Sequence, residues 1–277
     1  MRSILFFTTQ GTYGYTPVYE VEESRWKEIG SHINSTIRIS GEEKITDAFV
    51  LRSFATNAYM ISVTKNGLVK KTAVREYEVS RNNKTMSNMK LLDGDAVVKT
   101  MIAYAYDEIL IASKNGFVSR YPVSLIPETS PRSKGVKAMN LVLDEIVSAC
   151  ISHGDASQLI VFTDQCQMKR IKLSDVDVTG RPTKGSMICK KVKSKPYQIA
   201  HIALHDLNDE LVIINEETQK ILAKDISLMS KDATFSSPLH TTQDYYFLRT
   251  LAAVEQRELP AIQGEKQEFE EIELFED

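Results

Sequence analysis

Lysines and arginines recur at fixed steps along this 277-residue chain, and the chemistry they suit is the binding of phosphate. One group sits at or just after three short turns: Lys65, Lys70 and Lys71, then Lys114 and Arg120, then Lys169 and Arg170. A second group sits in polar loops: Lys84 in 81–84, Arg132 and Lys134 in 131–137, Arg181 and Lys184 in 180–185. The densest run is Lys190, Lys191, Lys193 and Lys195, followed by Pro196. Cations at regular intervals neutralise a regularly charged polyanion and release its counterions. Such contacts position a duplex without reading its sequence. Ser, Thr and Gly in the loops add hydroxyls and backbone N–H groups that also bind phosphate. A solvated strand face explains any one of these bases equally well; repetition at equivalent places is what favours the phosphate reading.

Other chemistry finds less support. His201 and His205 are four apart, a spacing that presents two metal ligands only on a helix. Here His201 lies in an alternating strand pattern and His205 in the turn after it, so no metal site is expected. Cys166 stands where related turns carry glycine, but nothing beside it in sequence would lower its pKa. Tyr13, Tyr15, Tyr19 and Trp26 could stack on bases, yet packing between structural units suits them better. No Gly-rich phosphate loop, Ser-His-Asp set or pair of catalytic carboxylates is present, so no catalytic residue is expected.

The elements that position the bases are hairpins. Residues 59–71 read YMISVTKNGLVKK and residues 109–120 read ILIASKNGFVSR. Asn-Gly between two β-type runs is a strong hairpin signal and predicts a two-residue turn with φ > 0 at both positions. A first copy ends in TTQGTYGY at Gly11, a fourth carries Cys166 at the glycine position, and a degraded fifth spans 211–222. Steps between the first four are 56, 49 and 50 residues. A strand-built period near 50 is the mark of radial blades. A leading strand is expected before each later hairpin, at 45–51, 96–102, 146–151 and 199–204. The first hairpin has no leading strand, and residues 245–251 read as one with no hairpin after it, so one end of a ring could supply what the other lacks. No helical period is sustained.

The bulk properties fit an all-β protein of about five blades. Apolar residues make up 42%, and no run approaches the roughly 18 needed to cross a membrane. Three widely spaced cysteines, Cys150, Cys166 and Cys189, give no disulfide framework and suit a reducing cytoplasm. Residues 255–277 hold nine acids against Arg257 and Lys266, leaving 32 bases against 28 acids elsewhere. The expected division is a blade domain over 1–254 and an acidic, disordered tail over 255–277. That tail could compete with a polyanion for the basic body.

The strings FTTQG, VTKNGLVKK, ASKNGFVSR, VFTDQCQMKR, SPRSKGVKAMNL and TGRPTKGSMI resemble the C-terminal domain of bacterial type IIA topoisomerase A subunits. RWKEIGSHI at 25–33 is closer to topoisomerase IV than to DNA gyrase, and the Gln/Arg/Gly-rich box of gyrase A is absent. The resemblance covers residues 1 to about 251. It implies a β-pinwheel, a propeller-like ring whose blades exchange strands, with duplex DNA along the outer rim. It implies a domain with no active site that helps hold the transported duplex. The catalytic tyrosine, the ATPase of the B subunit, and the ATP and Mg2+ they use would belong to the rest of the enzyme. Carried over, the rim contacts fall on Lys65, Lys70, Lys71, Lys114, Arg120, Lys169 and Arg170, with Arg132, Lys134, Arg181 and Lys184 from the loops. DNA wrapping of the gyrase type, or a blade platform for protein partners, is the alternative. A further blade before Met1 is left open.

Overall fold

The computed structural model describes residues 2–25, 29–41, 43–79, 84–154, 158–193, 196–205, 207–208, 210–214, 218–236 and 246–248. One unit repeats along the chain: a hairpin, a short strand, then a longer strand. It begins with the hairpin β1 (Ser3–Thr8) and β2 (Thr12–Pro17), followed by β3 (Ile45–Leu51). Next come β4 (Tyr59–Thr64), β5 (Leu68–Ala73), β6 (Met86–Ser87) and β7 (Val97–Ala103). The third unit holds β8 (Glu108–Ser113), β9 (Phe117–Pro122), β10 (Val136–Lys137) and β11 (Ile146–Ser152). The fourth holds β12 (Gln158–Thr163), β13 (Met168–Lys172), β14 (Ser186–Met187) and β15 (Ile199–Leu204). Last come β16 (Glu210–Ile214), β17 (Thr218–Leu222) and β18 (Tyr246–Leu248). Helical structure among the described residues is limited to single 3-10 turns.

These strands form five antiparallel sheets, in the orders β3-β1-β2-β6, β7-β4-β5-β10, β11-β8-β9-β14, β15-β12-β13 and β18-β16-β17. The expected blades are present, and so is the exchange between them. The fourth strand of blades one to three comes from the unit that follows: β6 pairs with β2, β10 with β5 and β14 with β9. In blade four, Ser236 takes that place through two backbone hydrogen bonds to Met168 at 2.8 and 3.0 Å. Successive β3, β7, β11 and β15 pack side by side. They lie at the inner end of each sheet, and the exchanged strands form the outer edge.

The expected leading strands need correction. Each pairs with the hairpin before it: Leu5 faces Phe49, Ile61 faces Met101, Ile111 faces Ala149 and Val161 faces Ile202. Strand β18 likewise pairs with β16 of the last hairpin. The first hairpin therefore needs no strand from the far end; it already has β3. The rest of the 245–251 segment lies outside the described residues, as does the 255–277 tail.

The turns also differ from expectation. Gly67 N donates to Thr64 O at 3.1 Å, and the same bond joins Gly116 to Ser113, Gly11 to Thr8 and Cys166 to Thr163. In each turn only this last residue has positive φ, at 92°, 91°, 71° and 55° respectively. Three residues thus connect the strands, with a left-handed residue forming a bulge, the three-residue form of hairpin. The residue before the turn selects it. Thr64 Oγ1 accepts from Leu68 N at 3.1 Å, Ser113 Oγ from Phe117 N at 3.2 Å and Thr163 Oγ1 from Gln167 N at 3.1 Å.

The core lies between blades. Side chains alternate across a strand, so consecutive residues enter different seams. Ile109 and Ile111 pack with Ile61 and Val63 of blade two, while Leu110 and Ala112 pack with Leu159 and Val161 of blade four. Both faces are covered, which is why these strands read as unbroken apolar runs.

Candidate nucleic-acid interface

The hairpin bases do not form a belt on the surface. Lys70 and Lys71 are adjacent, so they point to opposite faces of β5, and neighbouring structure covers both faces. Lys70 is 1% exposed and Lys169 is fully buried. Lys70 Nζ donates to Thr72 Oγ1, and burial pulls its pKa down to about 8. Lys169 Nζ donates to the carbonyls of Ser230, Lys231 and Ala233 at 3.3, 2.8 and 2.8 Å and sits 4.8 Å from the Phe235 ring centre. Burial also lowers its pKa to about 8. The carbonyls come from the loop that crosses the outer edge of its blade. Neither ammonium can reach a phosphate as placed.

The next position along each arm is committed too. Lys71 is buried, donates to Val123 O at 3.3 Å and lies 5.0 Å from the Tyr59 ring centre. Its pKa is lowered by burial, with Glu128 acting the other way. Arg120 pairs with Glu108 at 2.6 Å and donates to Leu173 O and Val176 O at 2.9 and 3.2 Å. Arg170 donates to Gln158 Oε1, Ile226 O and Lys224 O at 2.6, 2.6 and 3.0 Å. As rim contacts, Lys70, Lys71, Arg120, Lys169 and Arg170 are therefore corrected: their donors face protein acceptors.

The turn lysines meet one acid. Lys65 and Lys114, from neighbouring hairpins, both lie 2.9 Å from Glu145. Glu145 holds the Lys114 pKa up, and both lysines hold the Glu145 carboxyl below its usual range. Both ammonium groups remain partly open to solvent, but one negative charge already serves the two.

The loops around the exchanged strands are different. Lys84, Arg132, Lys134, Lys184, Lys190, Lys191 and Lys193 are all exposed. No salt bridge or hydrogen bond is described from any of their side chains; Lys184 Nζ lies 4.4 Å from the Phe117 ring centre. The loops dock on one another in order. Arg132 N donates to Asn88 O at 3.1 Å, Lys90 N to Ser133 O at 3.1 Å, and Asn140 N to Thr183 O at 2.7 Å. Arg132 holds φ of 71°, a left-handed backbone. Arg181 is the exception among the loop bases. It is half-buried and donates to Leu125 O and Lys137 O at 3.1 and 2.7 Å, tying its loop to the preceding one. Lys195 lies outside the described residues.

Among the exposed bases that the sequence reading does not single out, Arg38 and Lys90 lie beside these loops. Lys90 follows Met89 as Asn140 follows Met139 and Lys190 follows Cys189. Aligning these short strands, rather than the hairpins alone, would have found it. Arg38 bridges by backbone to Lys84, a pairing with no sequence signal.

The remaining candidates are structural. His201 Nδ1 lies 2.9 Å from Ser148 Oγ, and burial, with the Lys99 charge and His205, lowers its pKa to about 3. Among the described residues no three His, Cys, Asp or Glu side chains converge as a metal site requires. Cys166 is buried, and burial raises the Cys150 pKa to about 12. Tyr13 meets Tyr77 edge-on at 4.9 Å in the seam between blades one and two, and Tyr15 packs 5.9 Å from Phe54. Tyr19 is exposed, and Trp26 lies outside the described residues.

Comparison with known proteins matches this architecture. The family model of the DNA gyrase C-terminal domain, beta-propeller, matches residues 2–52, 58–103, 107–153 and 157–206, one segment for each of the first four blades. The A subunit of DNA topoisomerase 4 from Staphylococcus epidermidis (strain ATCC 12228 / FDA PCI 1200) is 27% identical over 244 residues, which is 88% of this chain and 30% of that protein. Its counterpart from Bacillus subtilis (strain 168) is 28% identical over 217 residues, 78% of this chain and 27% of that protein. The chain thus spans about 30% of the length of these curated relatives. The crystal structure of the C-terminal domain of DNA topoisomerase IV superposes with a TM-score of 0.80 at 29% identity, covering 85% of this chain and 74% of that one. The DNA gyrase A C-terminal domain shares the fold, with a TM-score of 0.76 at 19% identity over 88% of this chain and 80% of that one. With four of its five blades matched, this chain belongs to the family of DNA gyrase C-terminal beta-propeller domains.

Proposed function

We propose that this chain is the non-catalytic DNA-binding module of a topoisomerase IV type A subunit. The observation that carries the reading is the set of exposed bases on loops that dock blade to blade along the outer edge. Lys84, Lys90, Arg132, Lys134, Lys184, Lys190, Lys191 and Lys193 are the proposed phosphate contacts, with Lys65 and Lys114 sharing Glu145 as weaker ones. The module holds a duplex against this edge and helps position the transported segment for strand passage. Its partners would be the rest of the A subunit, together with an ATPase B subunit, in the bacterial cytoplasm. ATP and Mg2+ would act in those parts; no residue here is assigned to either. Supporting this reading are the named relatives, topoisomerase 4 A subunits, and the likeness to a solved topoisomerase IV C-terminal domain.

Gel shifts of the chain on unrelated linear duplexes at rising salt test it. Similar affinity for each duplex is expected, with log K falling by about 0.9 per phosphate neutralised for each tenfold rise in salt. A flat salt response would overturn it.

A further inference from the structure

One position recurs at four blade seams. It lies four residues after the left-handed residue of each hairpin: Tyr15, Lys71, Arg120 and Arg170. In its own blade it meets a first-arm residue each time. Ser3 Oγ donates to Tyr15 Oη at 3.2 Å. Lys71 Nζ sits 5.0 Å from the Tyr59 ring centre. Arg120 pairs with Glu108 at 2.6 Å and Arg170 donates to Gln158 at 2.6 Å.

The three cations then reach across the seam. Lys71 donates to Val123 O, Arg120 to Leu173 O and Val176 O, and Arg170 to Lys224 O and Ile226 O. Every one of these carbonyls belongs to, or directly follows, a 3-10 turn of the next blade: Val123–Leu125, Leu173–Asp175 or Ala223–Asp225. Val176 O, Lys224 O and Ile226 O lie at or just past the end of their turns, where carbonyls have no partner within the turn. Val123 O and Leu173 O also accept from Ile126 N and Val176 N at 3.1 Å, and charged donors bond carbonyls of both kinds strongly. The same residue also grips by its backbone. Lys71 O accepts from Thr129 N at 2.9 Å, Arg120 O from Thr179 N at 2.8 Å and Arg170 O from Met229 N at 2.8 Å. Side chain and carbonyl together hold both ends of one short span of the neighbouring blade.

We infer that Lys71, Arg120 and Arg170 are positioning residues, latches that set the angle between successive blades and so the path of the outer loops. This rests on the proposal that those loops carry a duplex. The arginines hold two carbonyls each and an acceptor of their own blade, so their seams are the more tightly set. The seam between blades one and two has tyrosine at this position and is filled by the rings of Phe7, Tyr13 and Tyr77.

The test uses the 277-residue chain with Arg120→Gln, Arg170→Gln and the conservative Arg120→Lys. Without DNA, amide exchange at Thr179 in Arg120→Gln should quicken about tenfold, the factor for loss of a charge-assisted hydrogen bond, while Thr129 is unchanged. Met229 should respond to Arg170→Gln in the same way. Affinity for a duplex of about one helical turn should hold within about twofold of wild type. Bending of a duplex of several turns, still below the persistence length of about 150 base pairs, should fall by end-to-end energy transfer. Arg120→Lys should recover part of the bending. Lost short-duplex affinity with unchanged exchange at Thr179 or Met229 would make these arginines phosphate contacts and overturn the inference. If Arg120→Gln fails to fold, Arg170→Gln decides the point. If wild type binds no duplex, the proposed function fails, while the exchange rates still decide whether the latch exists.

Discussion

Lys70 and Lys169 occupy the same place in their hairpins and are equally buried, yet their surroundings predict opposite outcomes on removal. Lys70 has one described acceptor, the Thr72 hydroxyl. A buried cation with so little support costs stability, and a well-packed apolar side chain can equal or better it. Lys70→Met should leave stability unchanged or raise it by about 1 kcal/mol in urea melts. Lys169→Met would strip the donor from three carbonyls and should cost about 2 kcal/mol or more. The pH dependence follows from the lowered pKa of Lys70, about 8 in the folded chain against about 10.4 unfolded. Between those values the unfolded state binds more protons, so stability rises with pH across the window. Melts at pH 7.5 and 9.5 should show that rise in wild type and a smaller one in Lys70→Met; equal rises would refute it. Leu143 is a separate case. It holds φ of 50° with its side chain fully exposed, and Gly94, with φ of 73°, precedes the matching aspartate one blade earlier. Leu143→Gly should stabilise by about 0.5–1 kcal/mol, because relief of the left-handed strain exceeds the entropy that glycine adds.

At the scale of the element, the hairpin turn shows what was legible beforehand. Asn-Gly marked the second and third hairpins correctly because turn chemistry is local. It did not specify the turn form, which depends on the hydroxyl of the preceding Thr64 or Ser113. Two glycines separate backbone strain from crowding. A Cβ on Gly94 would meet open space, while one on Gly116 would fall 2.2 Å from Cys189 Sγ. Gly94→Ala should cost about 1 kcal/mol and Gly116→Ala clearly more, measured by the same melts. Strand partners were less legible than strands. In 45–51 buried Asp47, Phe49 and Leu51 alternate with exposed Ala48 and Val50. Alternation marks the covered face but not which hairpin lies beside the strand, so 45–51 and its counterparts read as leading strands although they pair backward. The second-arm bases misled for a related reason. Lysine is usually exposed, and nothing within β5 or β13 reveals that a segment from the next blade will cover it. The exposure of the loop bases other than Arg181 was legible because they lie outside any strand pattern, where side chains stay in solvent.

At the scale of the molecule, charge sits where the exchanged strands place it. Lys134→Glu with Lys184→Glu should weaken binding to every duplex alike and make the salt slope shallower by about 0.9 for each phosphate no longer neutralised. Lys70→Met should leave the slope unchanged; titrations at several salt concentrations separate the two. Exchange also imposes an order on synthesis. Strand β2 ends at Pro17, but the strand that closes its outer edge, β6, begins at Met86. At about 5–20 residues per second, the ribosome needs roughly 3–14 seconds to deliver it, and until then that edge is unpaired. The delay recurs at blades two to four, because each waits for chain not yet made. Completion can therefore run only from the N-terminal side, one step behind translation. A ribosome stalled after β1 and β2 have emerged but before β6 has would hold out a bare β-edge ready to pair with another nascent chain.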